Sequence, residues 1–342
     1  MSKSDDWLAQ VNEEVLEPRL PIVDPHHHLW TYDPPGAYLI EDLWADTGSG
    51  HCVEQTVFIQ CGAEPRKDGP KEMRFVGETE FVVAQAAKSE QGPRNAARIR
   101  GIVGFADLTL GARVDAVLEA HLEAGKGLLK GIRNGAAWDE TGTVKTPFPS
   151  GTPHIYADAT FREGFARLCP HGLSYDAWNY HPQLPELVDL AHAFPDTLIV
   201  LDHFGGVLGI GAYADKREEV FAQWKQHIAE LAALPNVVAK LGGLAMPLSG
   251  FAWETRKRPP TSDELVAAQH PYYLYTIEQF GPDRCMFESN FPVDKQAVSY
   301  RTLWNAFKKI TVDFSADEKD ALFRRTAMRV YRLAESVGTR VG

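Results

Sequence analysis

The chain has 342 residues, of which 44% are hydrophobic, and it carries a formal net charge of -11 with four cysteines. Such a chain buries a large core, and its negative charge excludes a nucleic-acid or anionic-membrane surface, so we expect a small-molecule partner. It has no CxxC pair, no signal-peptide core and no apolar run of about 18 residues, which predicts reduced thiols, no membrane contact and a cytoplasmic location.

Short apolar runs alternate with longer amphipathic ones, without a low-complexity linker between them. The predicted strands are 21–29, 54–61, 98–107, 128–134, 173–179, 198–204, 236–243 and 285–290. The predicted helices are 71–90, 113–125, 160–168, 184–194, 216–233, 262–280, 300–310 and 316–335, the last capped by Ser315 ahead of Glu318. This alternation predicts one α/β domain over residues 1–342, a (β/α)8 barrel with its core at roughly 20–335.

Two predicted connections are longer than ordinary loops, namely 135–159 and 244–261. Both are rich in Gly, Pro and aromatic residues. At the C-terminal face of a barrel such loops roof an active site, and an oligomer interface explains them equally well. The sequence therefore leaves homo-oligomerisation open and specifies no interface.

Three consecutive histidines, His26, His27 and His28, end the first predicted strand. Alternate side chains of a strand share a face, so His26 and His28 project together while His27 points away. Imidazole is the commonest zinc ligand and suits other divalent metals as well. This spacing therefore predicts a metal or anion site.

Polar residues also stand at the C-terminal ends of other predicted strands. They are Lys130 and Arg133 on the fourth, Tyr180 and His181 after the fifth, Asp202 and His203 on the sixth, and Glu288, Ser289 and Asn290 on the eighth. In a closed barrel these ends converge on one mouth, so we expect the side chains to face a common cavity.

Five segments carry a family resemblance: Asp24-Pro-His-His-His-Leu-Trp30, Lys130-Gly-Ile-Arg133, Tyr180-His-Pro-Gln-Leu184, Leu201-Asp-His-Phe-Gly-Gly206 and Ser289-Asn-Phe-Pro-Val293. Together they resemble the amidohydrolase superfamily, in particular the amidohydrolase 2 group that contains sugar lactonases and 2-pyrone-4,6-dicarboxylate lactonase. The resemblance spans roughly residues 20 to 335 and implies a distorted TIM barrel.

The resemblance implies a lactone-opening hydrolase. His26, His28, His181 and His203 match the histidine positions of the superfamily, where such a set holds a divalent ion that polarises a carbonyl and activates water. The expected ion is zinc or manganese, held here by His26, His28, His203 and Glu288. The resemblance also implies an alternative without a metal. Several lactonases of this branch are similar in showing little or no metal dependence, and they use histidine and arginine to polarise the lactone carbonyl.

The eighth strand departs from the family pattern, because Asn290 stands where the family usually has an aspartate. A neutral amide cannot take a proton from water as a carboxylate does. We therefore expect Glu288 to supply the carboxylate, as metal ligand or general base, while Asn290 hydrogen-bonds the substrate. The structural alternative pairs Glu288 with Lys130 or Arg133, and Asp294 is the reserve candidate for the base.

Arg133 is the predicted anion clamp, because a guanidinium holds a carboxylate through two parallel hydrogen bonds. Lys130 is a second predicted substrate contact, although its parity conflicts with that of Arg133, and a surface salt bridge explains one of them equally well. Aromatic rings near the proposed mouth include Trp30, Trp138 and Tyr180, which we expect to stack on the substrate ring.

Three functions are compatible with these residues. The first is hydrolysis of a lactone. The second is metal-dependent decarboxylation of an aromatic or dienoic acid, which the missing aspartate of the eighth strand favours. The third is a catalytically silent barrel that serves as a binding or partner subunit, and retention of four histidine positions argues against it.

Overall fold

The computed structural model describes residues 5–33, 36–145 and 151–335. Within these ranges eight parallel strands follow one another in chain order around a single sheet. They are β1 (Pro21–His27), β2 (Cys52–Ile59), β3 (Arg98–Gly104), β4 (Leu129–Ile132), β5 (Ser174–Ala177), β6 (Ile199–Leu201), β7 (Val237–Leu241) and β8 (Cys285–Phe287). The sheet closes where His27 bridges Phe291, just past β8, so the predicted (β/α)8 barrel is confirmed.

Helices follow the strands around the outside of the barrel. They are α1 (Asp5–Leu8), α2 (Ile40–Thr47), α3 (Val76–Gln91), α4 (Asp115–Gly125), α5 (Ala159–Phe165), α6 (Leu184–Ala193), α7 (His203–Gly206), α8 (Arg217–Ala232), α9 (Ser262–Phe280), α10 (Tyr300–Ile310), α11 (Ala316–Asp320) and α12 (Thr326–Val330). A π-helical turn joins the last two. None of the helices in the described ranges is long and apolar enough to cross a membrane.

All predicted helices are present, with ends shifted by a few residues, and the predicted cap at Ser315 is confirmed. The Ser315 hydroxyl accepts from the Glu318 N–H at 3.3 Å, and the Glu318 carboxylate accepts from the Ser315 N–H at 2.8 Å. The sequence pattern does not predict α1, α2 or the single helical turn α7. In α2 the carboxylate of Asp42 accepts from the N–H of Leu39, an apolar residue that gives no helix-start signal.

The inward faces of the last three strands show how the barrel interior is layered. Val200, Val238 and Met286 fill one apolar layer. Two residues further along β7, and hence on the same face, lies Lys240, and Asp202 and Glu288 follow Val200 and Met286 at the same spacing. An apolar layer is therefore followed, toward the C-terminal ends of the strands, by a charged one.

The C-terminal helix closes the opposite, N-terminal end of the barrel. Ala327, Val330 and Tyr331 pack against the apolar layer of the strands. The Tyr331 hydroxyl reaches through this layer and donates to Asp176 Oδ2 at 2.6 Å. The base of the barrel is thus apolar, and the charged layer above it is enclosed.

We expect Tyr331→Phe to lower the free energy of unfolding by about 1.5–3 kcal/mol, because it removes a hydrogen bond to a buried charged carboxylate. Tyr156→Phe is the matched control, since the equally buried Tyr156 donates to the neutral amide of Asn179 at 3.3 Å, a bond worth about 0.5–1.5 kcal/mol. Urea unfolding measures both, and equal losses would contradict a charged partner for Tyr331.

The two long predicted loops meet over the C-terminal ends of the strands. Ala137 from the first loop and Met246 and Leu248 from the second share an apolar cluster with Tyr180 and Leu208, which follow β5 and β6. The segment 146–150 of the first loop lies outside the described residues. The described parts of both loops therefore lie at the barrel mouth, while an interface role for them stays a prediction.

Candidate active site

Glu288 lies between two imidazoles at the end of β8. Its Oε1 accepts from His203 Nδ1 at 2.6 Å, and its Oε2 lies 2.7 Å from His26 Nδ1. Burial opposes ionisation of Glu288, but His203 and His26 together hold its pKa well below the usual value. The partners of Glu288 are thus imidazoles, not Lys130 or Arg133 as the structural alternative proposed. A proton on His203 Nδ1 leaves the Nε2 lone pair of that ring directed away from Glu288.

The backbone that carries His203 is left-handed. The φ angle lies between 52° and 72° in four consecutive residues, His203, Phe204, Gly205 and Gly206. Residues other than glycine rarely adopt this conformation, which clusters at functional sites. Gly243 leaves the room that His203 needs, because a Cβ at Gly243 would lie 2.5 Å from His203 Nδ1. The ends of β6 and β7 are therefore shaped around this imidazole.

Lys240 connects the histidines to two further carboxylates. Its Nζ lies 2.7 Å from Asp176 Oδ2, 3.0 Å from Asp202 Oδ1 and 3.2 Å from His26 Nδ1. Asp202 Oδ2 lies 3.4 Å from Arg133 Nη1. Burial opposes the charge on Asp202, but Lys240 and His26 hold its pKa well below the usual range. Sequence reasoning missed Lys240 and Asp176, and the only available signal was a single charged residue inside each apolar strand.

Arg133 is held in place from the end of β2. Its Nη2 donates to the Gln60 carbonyl, and its Nε donates to Gln60 Oε1 at 3.3 Å. The segment that follows is fixed by Glu78, whose Oε1 accepts from three successive backbone N–H groups, residues 61–63, at 2.7 to 2.9 Å. Burial raises the pKa of Glu78 to about 7. The guanidinium is thus preorganised by backbone and side chain together.

Asn290 lies between His28 and Asp294. Its Oδ1 lies 3.3 Å from His28 Nε2, and its Nδ2 donates to Asp294 Oδ1 at 2.9 Å. His28 Nδ1 donates to the carbonyl of Ile59 at 2.8 Å. Burial lowers the pKa of His28 well below its usual value and raises that of Asp294 to about 7. Because the proton of the neutral His28 ring is on Nδ1, His28 Nε2 cannot donate to Asn290 Oδ1, and the hydrogen bond that fixes Asn290 is the one to Asp294.

His181 lies at the same end of the barrel but outside the group formed by His26, Asp202 and His203. Its Nδ1 accepts from the N–H of Leu208 at 3.2 Å. Burial lowers the pKa of His181 to about 4, so the ring is neutral and carries its proton on Nε2. His181 can therefore donate a hydrogen bond but offers no free lone pair.

Two of the predicted aromatic contacts lie beside the histidines. Trp30 lies nearly parallel to His28 at a centroid distance of 6.4 Å, and Tyr180 packs against Trp178 at 5.8 Å, which in turn meets His203 edge-on at 5.2 Å. Trp138 instead packs against His154 at 5.0 Å. The rings of Trp30, Trp178 and Tyr180 thus surround the imidazoles.

The structure places Lys130 away from this site. Its Nζ donates to the carbonyl of Gly127 at 2.9 Å, before the start of β4 and hence at the N-terminal end of the barrel. The expected substrate contact by Lys130 is therefore corrected. The parity conflict between Lys130 and Arg133 is resolved in favour of Arg133, which alone of the two reaches the mouth.

A divalent ion would need free lone pairs, and cations of the protein compete for some of those offered here. His26, Asp202 and His203 offer ligand atoms within 4.8 Å of one another. However, the Asp202 oxygens face Lys240 and Arg133, and Arg133 Nη1 also lies 3.5 Å from His26 Nε2. Both Glu288 oxygens face imidazole nitrogens. Arg133 and Lys240 therefore compete with a divalent ion for these ligand atoms, and no step proposed below uses an ion.

We expect chelator-washed protein to hold far less than one zinc or manganese per chain and to keep its rate, because a guanidinium stands where the ion would bind. Elemental analysis and activity before and after chelation measure this. In Arg133→Met, which frees Asp202 Oδ2 and His26 Nε2, we expect added zinc to bind more tightly than in the wild type. Stoichiometric zinc in the wild type, lost together with activity, would contradict this expectation.

His27 points away from the site and is fully buried, and neither of its ring nitrogens has a hydrogen-bond partner in the described part of the chain. Burial lowers its pKa from 6.5 to about 3. The unfolded chain therefore takes up a proton on His27 at a higher pH than the folded chain does. Acid consequently favours the unfolded state between these two pH values.

We expect His27→Leu to keep or raise stability at pH 7, because an unsatisfied polar ring is replaced by an apolar side chain. Between about pH 6 and 4 the wild type should lose stability more steeply than the variant, by about 1.4 kcal/mol per pH unit. Urea unfolding across this range measures the difference, and two parallel curves would contradict it.

Comparison with known proteins identifies the family. The amidohydrolase family model matches residues 23–333. The chain therefore belongs to the amidohydrolase family and is an enzyme of that family, which confirms the resemblance predicted from the five segments.

Three relatives show how far the similarity extends. The "Uncharacterized protein y4mH" of Sinorhizobium fredii is 34% identical over 91% of this chain and 98% of its own length. An L-fucono-1,5-lactonase of Burkholderia multivorans is 27% identical over 93% of this chain and 98% of its own length. A crystal structure of an amidohydrolase from the same organism, with bound zinc, superposes with a TM-score of 0.70 at 25% identity, covering 92% of this chain and 99% of that one. The chain is thus a lactonase-like member of its family.

Proposed function

We propose that this enzyme opens a lactone by water attack, with His203 as the general base and Glu288 as the group that orients it. The supporting observation is the buried 2.6 Å hydrogen bond from His203 Nδ1 to Glu288 Oε1. This bond fixes the imidazole in the tautomer whose Nε2 lone pair is free to take a proton from water. Glu288 then acts through His203 and does not itself touch the water.

The charges around His203 and Glu288 favour this proton transfer. Three carboxylates, Asp176, Asp202 and Glu288, face two cations, Arg133 and Lys240, so the buried group carries one net negative charge while its histidines are neutral. When His203 takes a proton from water, this sum becomes zero. The imidazolium formed in the transition state is therefore stabilised by charges that are already in place.

Arg133 and His181 are the proposed donors to the lactone carbonyl. The guanidinium has five N–H groups, and its contacts with Gln60 and Asp202 leave some of them unused. His181 presents an Nε2 proton, since its Nδ1 accepts from Leu208. Donors fixed in this way stabilise the charge that develops on the carbonyl oxygen without having to reorganise.

We further propose that the substrate is an uncharged sugar-type lactone. Within the described residues, the cations that contact the three buried carboxylates are Arg133 and Lys240. Lys240 is enclosed on the side of the closed, N-terminal end of the barrel. A dicarboxylate substrate would therefore meet one accessible cation and a net negative site, which disfavours it. The half-buried ring of Trp178 offers a surface that suits the apolar face of a sugar, whereas Trp30 is buried and stacks on Tyr32 at 5.1 Å.

A lactone panel followed by proton release tests the proposal. We expect neutral sugar 1,4- and 1,5-lactones to be opened with one acid equivalent per turnover, and 2-pyrone-4,6-dicarboxylate to show a kcat/KM at least about tenfold lower. The assay is run in chelator with carbon dioxide monitored in parallel. Carbon dioxide release without net ring opening would replace hydrolysis by decarboxylation, and a uniformly inactive panel would overturn the proposal.

A further inference from the structure

Lys240 is fully buried in the middle of β7 and belongs to neither the predicted nor the proposed catalytic set. We infer that Lys240 is a positioning residue for the reaction: it holds Asp202, and through Asp202 the guanidinium of Arg133, at the place where the lactone carbonyl is polarised. This inference rests on the proposed lactone opening.

Polar groups from several strands surround the Lys240 ammonium. The groups that face it are His26 on β1, Asp176 on β5, Asp202 on β6, Glu288 just past β8, and Tyr331 from the C-terminal helix, whose ring centroid lies 5.4 Å from Nζ. Tyr331 and the apolar layer exclude water from below. An ammonium shielded from solvent must donate its hydrogen bonds to these neighbours, and this requirement fixes its position.

The two carboxylates that bind Lys240 have different second partners. Asp176 accepts from the Tyr331 hydroxyl, which belongs to the closed end of the barrel, whereas Asp202 Oδ2 faces Arg133 at the open end. Lys240 therefore joins a structural carboxylate to one that touches the proposed carbonyl donor. If Lys240 serves only to neutralise Asp176, its loss is repaired by removing the charge of Asp176. If it positions Asp202, that repair restores the fold and leaves the rate low.

Three variants separate these roles. Lys240→Met removes the ammonium and leaves Asp176 and Asp202 with one cation fewer, so we expect it to be strongly destabilised. Lys240→Met combined with Asp176→Asn removes one charge of each sign and keeps the sum of the site unchanged. Lys308→Met is the matched control, because Lys308 is also almost fully buried but binds the carbonyls of Leu16 and Glu17 far from the site.

We expect the double variant to recover most of the thermal stability that the single variant loses, yet to open the lactone with a kcat about 100-fold below the wild type and a KM within about threefold. Such a split indicates that a group acting in the transition state has moved while the binding of the substrate is intact. Lys308→Met should lose stability and keep kcat. A double variant with both wild-type stability and wild-type kcat would overturn the inference.

A second measurement needs no substrate. The imidazole 15N signals of His26, assigned with His26→Gln, report on the ring that lies 3.2 Å from Lys240 Nζ. We expect these signals to shift in both Lys240 variants and to stay unchanged in Lys308→Met. If the wild type opens no lactone, the proposed function fails, and the 15N signals still decide about Lys240: unchanged His26 signals in the double variant would overturn its positioning role.

Discussion

Glu288→Gln is expected to lower kcat for lactone opening by about 10³- to 10⁴-fold, the cost of holding a catalytic imidazole in the wrong tautomer. Of the two carboxylate oxygens, Oε1 accepts from His203 Nδ1, and Oε2 lies against His26 Nδ1. An amide has a single oxygen, so its NH2 group faces the Nδ1 of either His203 or His26. Where the NH2 group faces His203, that imidazole turns or moves its proton to Nε2, and the lone pair that takes the proton from water is lost.

Asp294→Asn is the matched control for this experiment. Asp294 is equally buried at the same end of the barrel, but its carboxylate accepts from the amide of Asn290 and is 2.9 Å from it. We expect a loss of kcat of no more than about tenfold, because no proton of the reaction passes through this carboxylate in the proposed mechanism. Steady-state kinetics with a thermal melt for each variant gives the comparison. A larger loss at Asp294 than at Glu288 would assign the base to the reserve candidate instead.

Arg133→Met is the second variant with a large expected effect. It removes the guanidinium that lies 3.4 Å from Asp202 Oδ2 and is fixed by Gln60. We expect kcat to fall by about 10²- to 10³-fold, as for the loss of one preorganised donor to a developing oxyanion. KM should change much less, because the ground-state carbonyl carries little charge.

Arg133→Lys distinguishes the fork of the guanidinium from its charge. A lysine keeps the positive charge but cannot donate to both Gln60 and Asp202 in one plane. We therefore expect an intermediate rate, above that of Arg133→Met and well below the wild type. Equal rates for Met and Lys would indicate that geometry alone matters, and a change confined to KM in both variants would contradict a role in the transition state.

The strands and the polar ends of the strands are predictable from the sequence because both are local signals. Short apolar runs such as Val237-Val238-Ala239 mark a strand that is buried on both faces, and residues at its C-terminal end face the mouth in any such barrel. For this reason His26, Arg133, His203 and Glu288 could all be assigned to one site without a structure.

The partners of these residues could not be predicted, because they come from strands far apart in sequence. Glu288 was expected to bind a metal, take a proton from water or pair with a basic residue of the fourth strand, whereas it lies between two imidazoles. Lys240 and Asp176 are single charges within apolar strands, and nothing local indicates that each compensates the other. Directions of ring nitrogens, such as the occupied Nδ1 of His181, are likewise set by tertiary contacts alone.

The hydroxyl of Tyr331 has a consequence for the way the molecule folds. Through Asp176 and Lys240 it connects the last helix to His26 on the first strand. A continuous series of polar contacts therefore joins residues near the two ends of the described sequence. Contacts of such large sequence separation raise the contact order and slow folding. Asp176 on β5 obtains its cation from Lys240 on β7, and the hydroxyl that completes its hydrogen bonds comes from Tyr331, near the end of the described sequence.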